Sequence, residues 1–65
     1  MTNKFKSNLK TLRKENGITQ QALADALNIT LKTISHWETG YTEPSISQII
    51  ELATFFHVKL EDLLC

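Results

Sequence analysis

The stretch from Ile18 to Gly40 constrains this chain most. It reads ITQQALADALNITLKTISHWETG, with the pair Ile-Thr in it twice. Thr19 and Thr30 each precede a helical pattern and can cap it, because a threonine hydroxyl accepts from the free backbone N–H groups of a first helical turn. Ile18 is matched by Leu23 and Ile29 by Ile34, the spacing of a hydrophobic staple at each helix start. Asn28 follows Leu27, and asparagine is the residue other than glycine that best tolerates the left-handed conformation ending a helix. The stretch therefore predicts a helix over about Gln20 to Leu27, a sharp turn, and a helix over about Leu31 to Thr39.

The flanks continue the helical pattern. Phe5, Leu9 and Leu12 recur on one helical face, lysines fill most other positions, and Asn16-Gly17 is a stop. These residues predict a first helix over about Lys4 to Glu15, with Thr2 or Asn3 as its cap. Gly40 is a C-cap and Pro44 bars helical continuation. Ser45-Ile46-Ser47-Gln48 is a capping box opening a fourth helix that runs to about Phe56. Ile46, Ile49, Ile50, Ala53 and Phe56 form its apolar stripe, and Leu52 and Phe55 extend it. His57 occupies the C-cap, and histidine tolerates positive φ better than most residues. Leu60, Leu63 and Leu64 again have helical spacing.

These residues carry a resemblance. Ile18-Thr19-Gln20, Leu23-Ala24, Leu27, Ile29-Thr30, Thr33-Ile34-Ser35, Trp37-Glu38, Gly40 and Pro44-Ser45 resemble the helix-turn-helix of the lambda-repressor/Cro type, also called XRE-like. The likeness runs from about Leu9 to Leu64. It implies an all-α, compact five-helix domain spanning 1–65, with the helix-turn-helix at helices two and three, about 19–39. It also implies an internal ion pair, Arg13–Glu38, holding helix one to helix three. The chain departs from the family at Glu43, where Lys or Arg is common, and at His57, where Gly or Asn is usual. It departs again at Lys59, which leaves the fifth helix without a side-chain acceptor at its start; Glu61 and Asp62 there favour the helix dipole instead.

The resemblance implies DNA recognition by helix three. A helix in the major groove reads base edges with residues near its N-terminus. With Ile34 and Trp37 turned inward, Thr30, Lys32, Thr33, Ser35 and His36 are the candidate base contacts. Lys32 suits guanine O6 and N7, and the threonines suit mixed edges or a thymine methyl. Leu31 either closes the edge of the core or lies against a thymine methyl. Gln20 and Gln21, at a helix N-terminus that favours anions, are candidate phosphate contacts. Thr39, Tyr41 and Thr42 are others, through their hydroxyls or the nearby backbone amides.

Charge enters here as a difficulty. Seven basic residues balance seven acidic ones, so no overall field draws the chain to nucleic acid. Residues 1–15 nevertheless carry net +4 and residues 16–65 net −4. No apolar run nears the roughly 18 residues that span a membrane, and the N-terminus has no apolar signal core, so a cytoplasmic protein is expected. Cys65 is the one cysteine, and it cannot form an internal disulfide. His36 and His57 lie in different helices with no metal-ligand spacing. There is no nucleophile–base pair and no glycine-rich phosphate loop. Neither enzyme activity, a cofactor, a metal nor a small-molecule ligand is expected.

Phe55, Leu60, Leu63 and Leu64 are too many apolar side chains for so small a core, and they are candidate dimer contacts or a seal on the domain. A two-fold dimer reads half-sites about 34 Å apart. The expectation is a homodimeric transcriptional regulator, a repressor at a near-palindromic operator. The alternative is a repressor-like interaction module or antitoxin-type subunit with weak or no DNA binding, which the neutral charge and Glu43 favour.

Overall fold

Four of the helix ends are built the same way. In a computed structural model that describes residues 4–65, α1 (Lys4–Glu15), α2 (Gln20–Leu27), α3 (Leu31–Thr39) and α4 (Ile46–Phe56) each close on a left-handed residue. A short α5 (Leu60–Leu64) follows. After α1 the N–H groups of Gly17 and Ile18 reach back to the carbonyls of Lys14 and Arg13. Asn28 and Ile29, Gly40 and Tyr41, and His57 and Val58 repeat that paired pattern, the Schellman motif. Asn28 sits at φ 58° and His57 at φ 56°, so both expected caps adopt the left-handed conformation. Thr2 and Asn3, the expected caps of α1, lie outside the described residues.

The starts are capped as the side chains allow. Thr19 Oγ1 accepts from Ala22 N at 3.0 Å, and Thr30 Oγ1 from Thr33 N at 3.2 Å. Ser45 and Gln48 complete a reciprocal capping box. Lys59 has no acceptor to offer, and Asp62 supplies half of the box by accepting from Lys59 N at 3.0 Å.

The helices surround a core of Phe5, Leu9, Leu23, Ala24, Ile34, Trp37, Ile49, Leu52, Ala53, Phe56 and Leu63. α2 packs on α3, α1 on α3 and α5, and α4 on α5. The stripe on α4 is rotated from its expected position. Leu52 is fully buried, whereas Ile46 is 71% exposed and Ile50 48%. The inward arc therefore runs through Ile49, Leu52, Ala53 and Phe56, and the two isoleucines flank it. α5 closes the base of the core through Leu63. Its carbonyl accepts from Asn8 Nδ2 at 3.0 Å, so a side chain of α1 satisfies one of the orphan carbonyls of α5. Among the described residues no helix is long and apolar enough to cross a membrane.

Candidate nucleic-acid interface

α3 is fixed along one edge and exposed along the other. Ile34 and Trp37 are in the core, and Glu38 is buried beside them. Arg13 reaches Glu38 with two hydrogen bonds, Nε to Oε2 at 2.6 Å and Nη2 to Oε1 at 3.0 Å. Its remaining nitrogen, Nη1, donates to Ile18 O at 3.0 Å, so one guanidinium ties α1, the turn before α2, and α3 together. Burial pushes the Glu38 carboxyl up. Hydrogen bonds from Arg13 and Gln20, with the charges of Arg13 and Lys10, outweigh it, and the group titrates below its ordinary 4.5. The hydrogen bond to Glu38 in turn holds Arg13 above its usual range, against its own burial.

The other edge holds the expected base-contact residues. Lys32 and Thr30 are exposed, and Thr33, Ser35 and His36 are half-buried. The Thr30 and Thr33 hydroxyls bond to each other at 2.9 Å. Leu31 is 42% exposed, so it stands on this outer edge and does not close the core. The His36 ring lies 4.7 Å from that of Tyr41, tilted by 56°. Three of the four Schellman turns half-bury the apolar residue after the cap (Ile18, Ile29 and Val58) against the core, but Tyr41 in the fourth is 77% exposed.

The expected phosphate contacts are rearranged. The side chain of Gln20 is turned to Glu38, Nε2 to Oε1 at 3.0 Å. That of Gln21 is bonded to Asp25 at 2.9 Å. What α2 offers an anion is the backbone N–H groups of Gln20 and Gln21 in its first turn, since that of Ala22 is taken by Thr19. The backbone amides of the next turn are not available. Gly40 N donates to Trp37 O, and Tyr41 N and Thr42 N donate to His36 O at 2.9 and 3.4 Å. Thr39 Oγ1 also donates to His36 O, at 3.2 Å. The Tyr41 and Thr42 hydroxyls remain exposed and have no partner among the described residues. Glu43 is exposed on the same loop.

Two residues reach this surface that the sequence placed only in a basic helix. Lys6 passes over Gly40, and Lys10 is close enough to act on Glu38. Their only sequence signal was the cationic bias of residues 1–15. Of the expected dimer contacts, Phe55 and Leu60 are exposed and Leu64 is half-buried. Leu63 is fully buried and makes no surface; α5 turns it under α1 and α4 to close the core. Among the described residues no group of three or more His, Cys, Asp or Glu could hold a metal ion.

Residues 9–63 match the family model described as helix-turn-helix. The chain is 38% identical over 59 residues to the uncharacterized HTH-type transcriptional regulator MJ0272 of Methanocaldococcus jannaschii, covering 91% of this chain and 89% of that one. It is 38% identical over 60 residues to the uncharacterized HTH-type transcriptional regulator YqaE of Bacillus subtilis, 92% of this chain but only about half (52%) of that one. Among solved structures, a transcriptional regulator from Listeria innocua superposes with a TM-score of 0.88 at 35% identity, over 97% of this chain and 59% of that one. The restriction-modification controller protein C.AhdI from Aeromonas hydrophila superposes with a TM-score of 0.84 at 28% identity, over 92% and 91%. With a bidentate pair fixing α3 and capped helices on both sides of the Asn28 turn, this chain belongs to the XRE-like helix-turn-helix family of transcriptional regulators.

Proposed function

We propose that this chain is a sequence-reading repressor that binds duplex DNA as a homodimer. α3 enters the major groove, and the two copies read half-sites about one helical turn apart in a near-palindromic operator. The observation that carries this reading is the outer edge of α3. Leu31 and Lys32 are exposed there, with Ser35 and His36 beside them, while the buried side of the helix is locked to α1 by Arg13 and Glu38. A rigidly held helix with an uncommitted edge suits base readout, because contact geometry must be fixed before binding.

Lys32 is assigned to guanine O6 and N7, His36 and Ser35 to neighbouring edges, and Leu31, Thr30 and Thr33 to thymine methyls or mixed edges. The first-turn backbone of α2 and the Tyr41 and Thr42 hydroxyls are assigned to phosphate. Dimerisation is assigned to Phe55, Leu60 and Leu64, without Leu63. The residues act as one domain in the cytoplasm, with no catalytic activity.

A specific observation favours a second reading. Glu43 is exposed on the loop that would face phosphate, and the net charge is zero. A helix-turn-helix scaffold with those features can serve as a protein-interaction module or antitoxin-type subunit. Selection from random duplex DNA with the purified chain separates the two. Recovery of an inverted repeat with half-sites one turn apart is the expected result. Recovery of nothing above background at low salt, from folded protein, overturns the repressor reading in favour of a protein partner.

A further inference from the structure

The segments assigned above to the DNA backbone contain no cation. Residues 16–31 and 39–58 carry neither Lys nor Arg, and Glu43 adds a negative charge. Duplex affinity nevertheless depends chiefly on cations that neutralise phosphates and release counterions. Lys32 alone, aimed at bases, does not supply that. The positive charge has to come from another element.

Lys6 is placed to supply it. A Cβ built on Gly40 would stand 3.1 Å from Lys6 Cδ, 3.8 Å from Cε and 3.5 Å from Nζ. The Lys6 stem thus crosses the end of α3 and brings its ammonium to the Thr39–Tyr41 turn. Gly40 is needed there for its φ of 83°, and the lysine stem packs over the face where a side chain would stand. Lys6 is exposed, and among the described residues it forms no ion pair; the pair there is Arg13–Glu38. Lys10 lies one turn further along α1, also exposed, and its charge reaches Glu38. Glu38 accepts from Gln20 at the start of α2 and precedes Thr39 in the chain. Lys6 therefore stands over one of the two phosphate-facing segments, and Lys10, four residues on, lies on the same side of α1. Lys4 falls on a different side of α1, about 160° from Lys6 at 100° per residue.

Building on the DNA-binding reading above, the structure assigns Lys6, supported by Lys10, as the phosphate-binding cations of this interface. They lie outside the helix-turn-helix itself and substitute for the basic residues its loop lacks. Phosphate contacts fix register and orientation on the duplex without reading sequence, so these lysines set affinity and salt dependence and leave base preference to α3.

The test is the slope of log K against log salt, from fluorescence anisotropy with the selected duplex. Each phosphate cation removed should lower the slope by about one. Lys6→Gln and Lys10→Gln are each expected to do so, weakening binding several-fold equally on the operator and on a one-base variant. Lys6→Arg should keep the slope, and Lys4→Gln should match the parent chain. Far-UV circular dichroism checks that each variant is folded. A parent chain that binds while Lys6→Gln keeps its slope overturns the assignment alone. A loss equal to that in Lys4→Gln also overturns it, since any lysine would then serve. A folded parent chain that binds no duplex at low salt overturns the DNA-binding reading and this assignment with it.

Discussion

Arg13 holds Glu38 by two hydrogen bonds of 2.6 and 3.0 Å, with Glu38 buried and Arg13 mostly covered between α1 and α3. Parallel N–H···O bonds between these planar groups fix orientation as well as distance. Gln20 shares Oε1 with Arg13, so the start of α2 is tied to the same carboxylate. The helix-turn-helix is therefore held to α1 at a buried point of α3.

Removing one partner should cost far more than removing both. Arg13→Met leaves the Glu38 carboxylate buried without its cation, and a loss of about 3–5 kcal/mol is expected. Arg13→Met with Glu38→Leu removes the charge as well and should recover most of that loss. Urea unfolding of the two variants measures the difference.

The same pair makes stability depend on pH with a definite sign. Folding lowers the Glu38 pKa below its ordinary 4.5, so the folded state holds the proton less tightly than the unfolded chain. Stability from this group is present in full above that value and is lost as pH falls through the lower folded value. Glu38→Gln should be less stable near neutrality, because Arg13 loses its counter-charge. The gap between it and the parent chain should narrow below about pH 4.5. Urea midpoints from pH 7 to pH 3 for both chains provide the comparison.

Leu60 and Leu63 should separate dimerisation from folding. Leu63 is fully buried, and Leu63→Ala should cost about 2–5 kcal/mol. Leu60 is exposed, and Leu60→Asp should leave the melting temperature of the isolated chain nearly unchanged while dissociating a dimer. Sedimentation equilibrium reads the second effect. A chain whose association is unaffected by Leu60→Asp removes Leu60 from the interface.

Lys32→Glu should abolish duplex binding without unfolding the chain. Lys32 is exposed on the outer edge of α3, and the substitution places a carboxylate where guanine acceptors are expected. Anisotropy and circular dichroism on one sample decide it. Undiminished binding by the folded variant removes Lys32 from the contact surface.

His57→Gly should stabilise the fold. His57 holds a left-handed φ of 56° and is exposed, so glycine relieves strain and removes no buried contact. The expected gain is roughly 0.5–1 kcal/mol after the entropy that glycine adds to the unfolded chain. A rise of a few degrees in melting temperature is the readout.

Much of this protein was legible in its sequence because much of it is local. A cap joins residues three positions apart, and a Schellman turn joins residues within six. Thr19, Thr30 and Ser45 therefore identified the helix starts, and Asn28, Gly40 and His57 the ends, before any packing was known. Arg13–Glu38 is not local, and it was reached only through family resemblance.

The structure departs from the sequence expectations where partners are distant in sequence. On α4, seven apolar residues left the phase of the stripe open, and the neighbouring helices selected Leu52 over Ile46 and Ile50. Gln20 and the loop amides turned inward because Glu38 and the His36 carbonyl lay within reach. Leu63 went into the core, its carbonyl held by Asn8 from the far end of the chain. Lys6 reached the candidate interface by crossing the glycine that ends α3. The sequence by itself determined where α2, α3 and α4 start and stop, since capping chemistry acts within one turn. Only the tertiary structure decided which side chains remain free to bind, because a buried acceptor recruits whatever donor the fold brings to it.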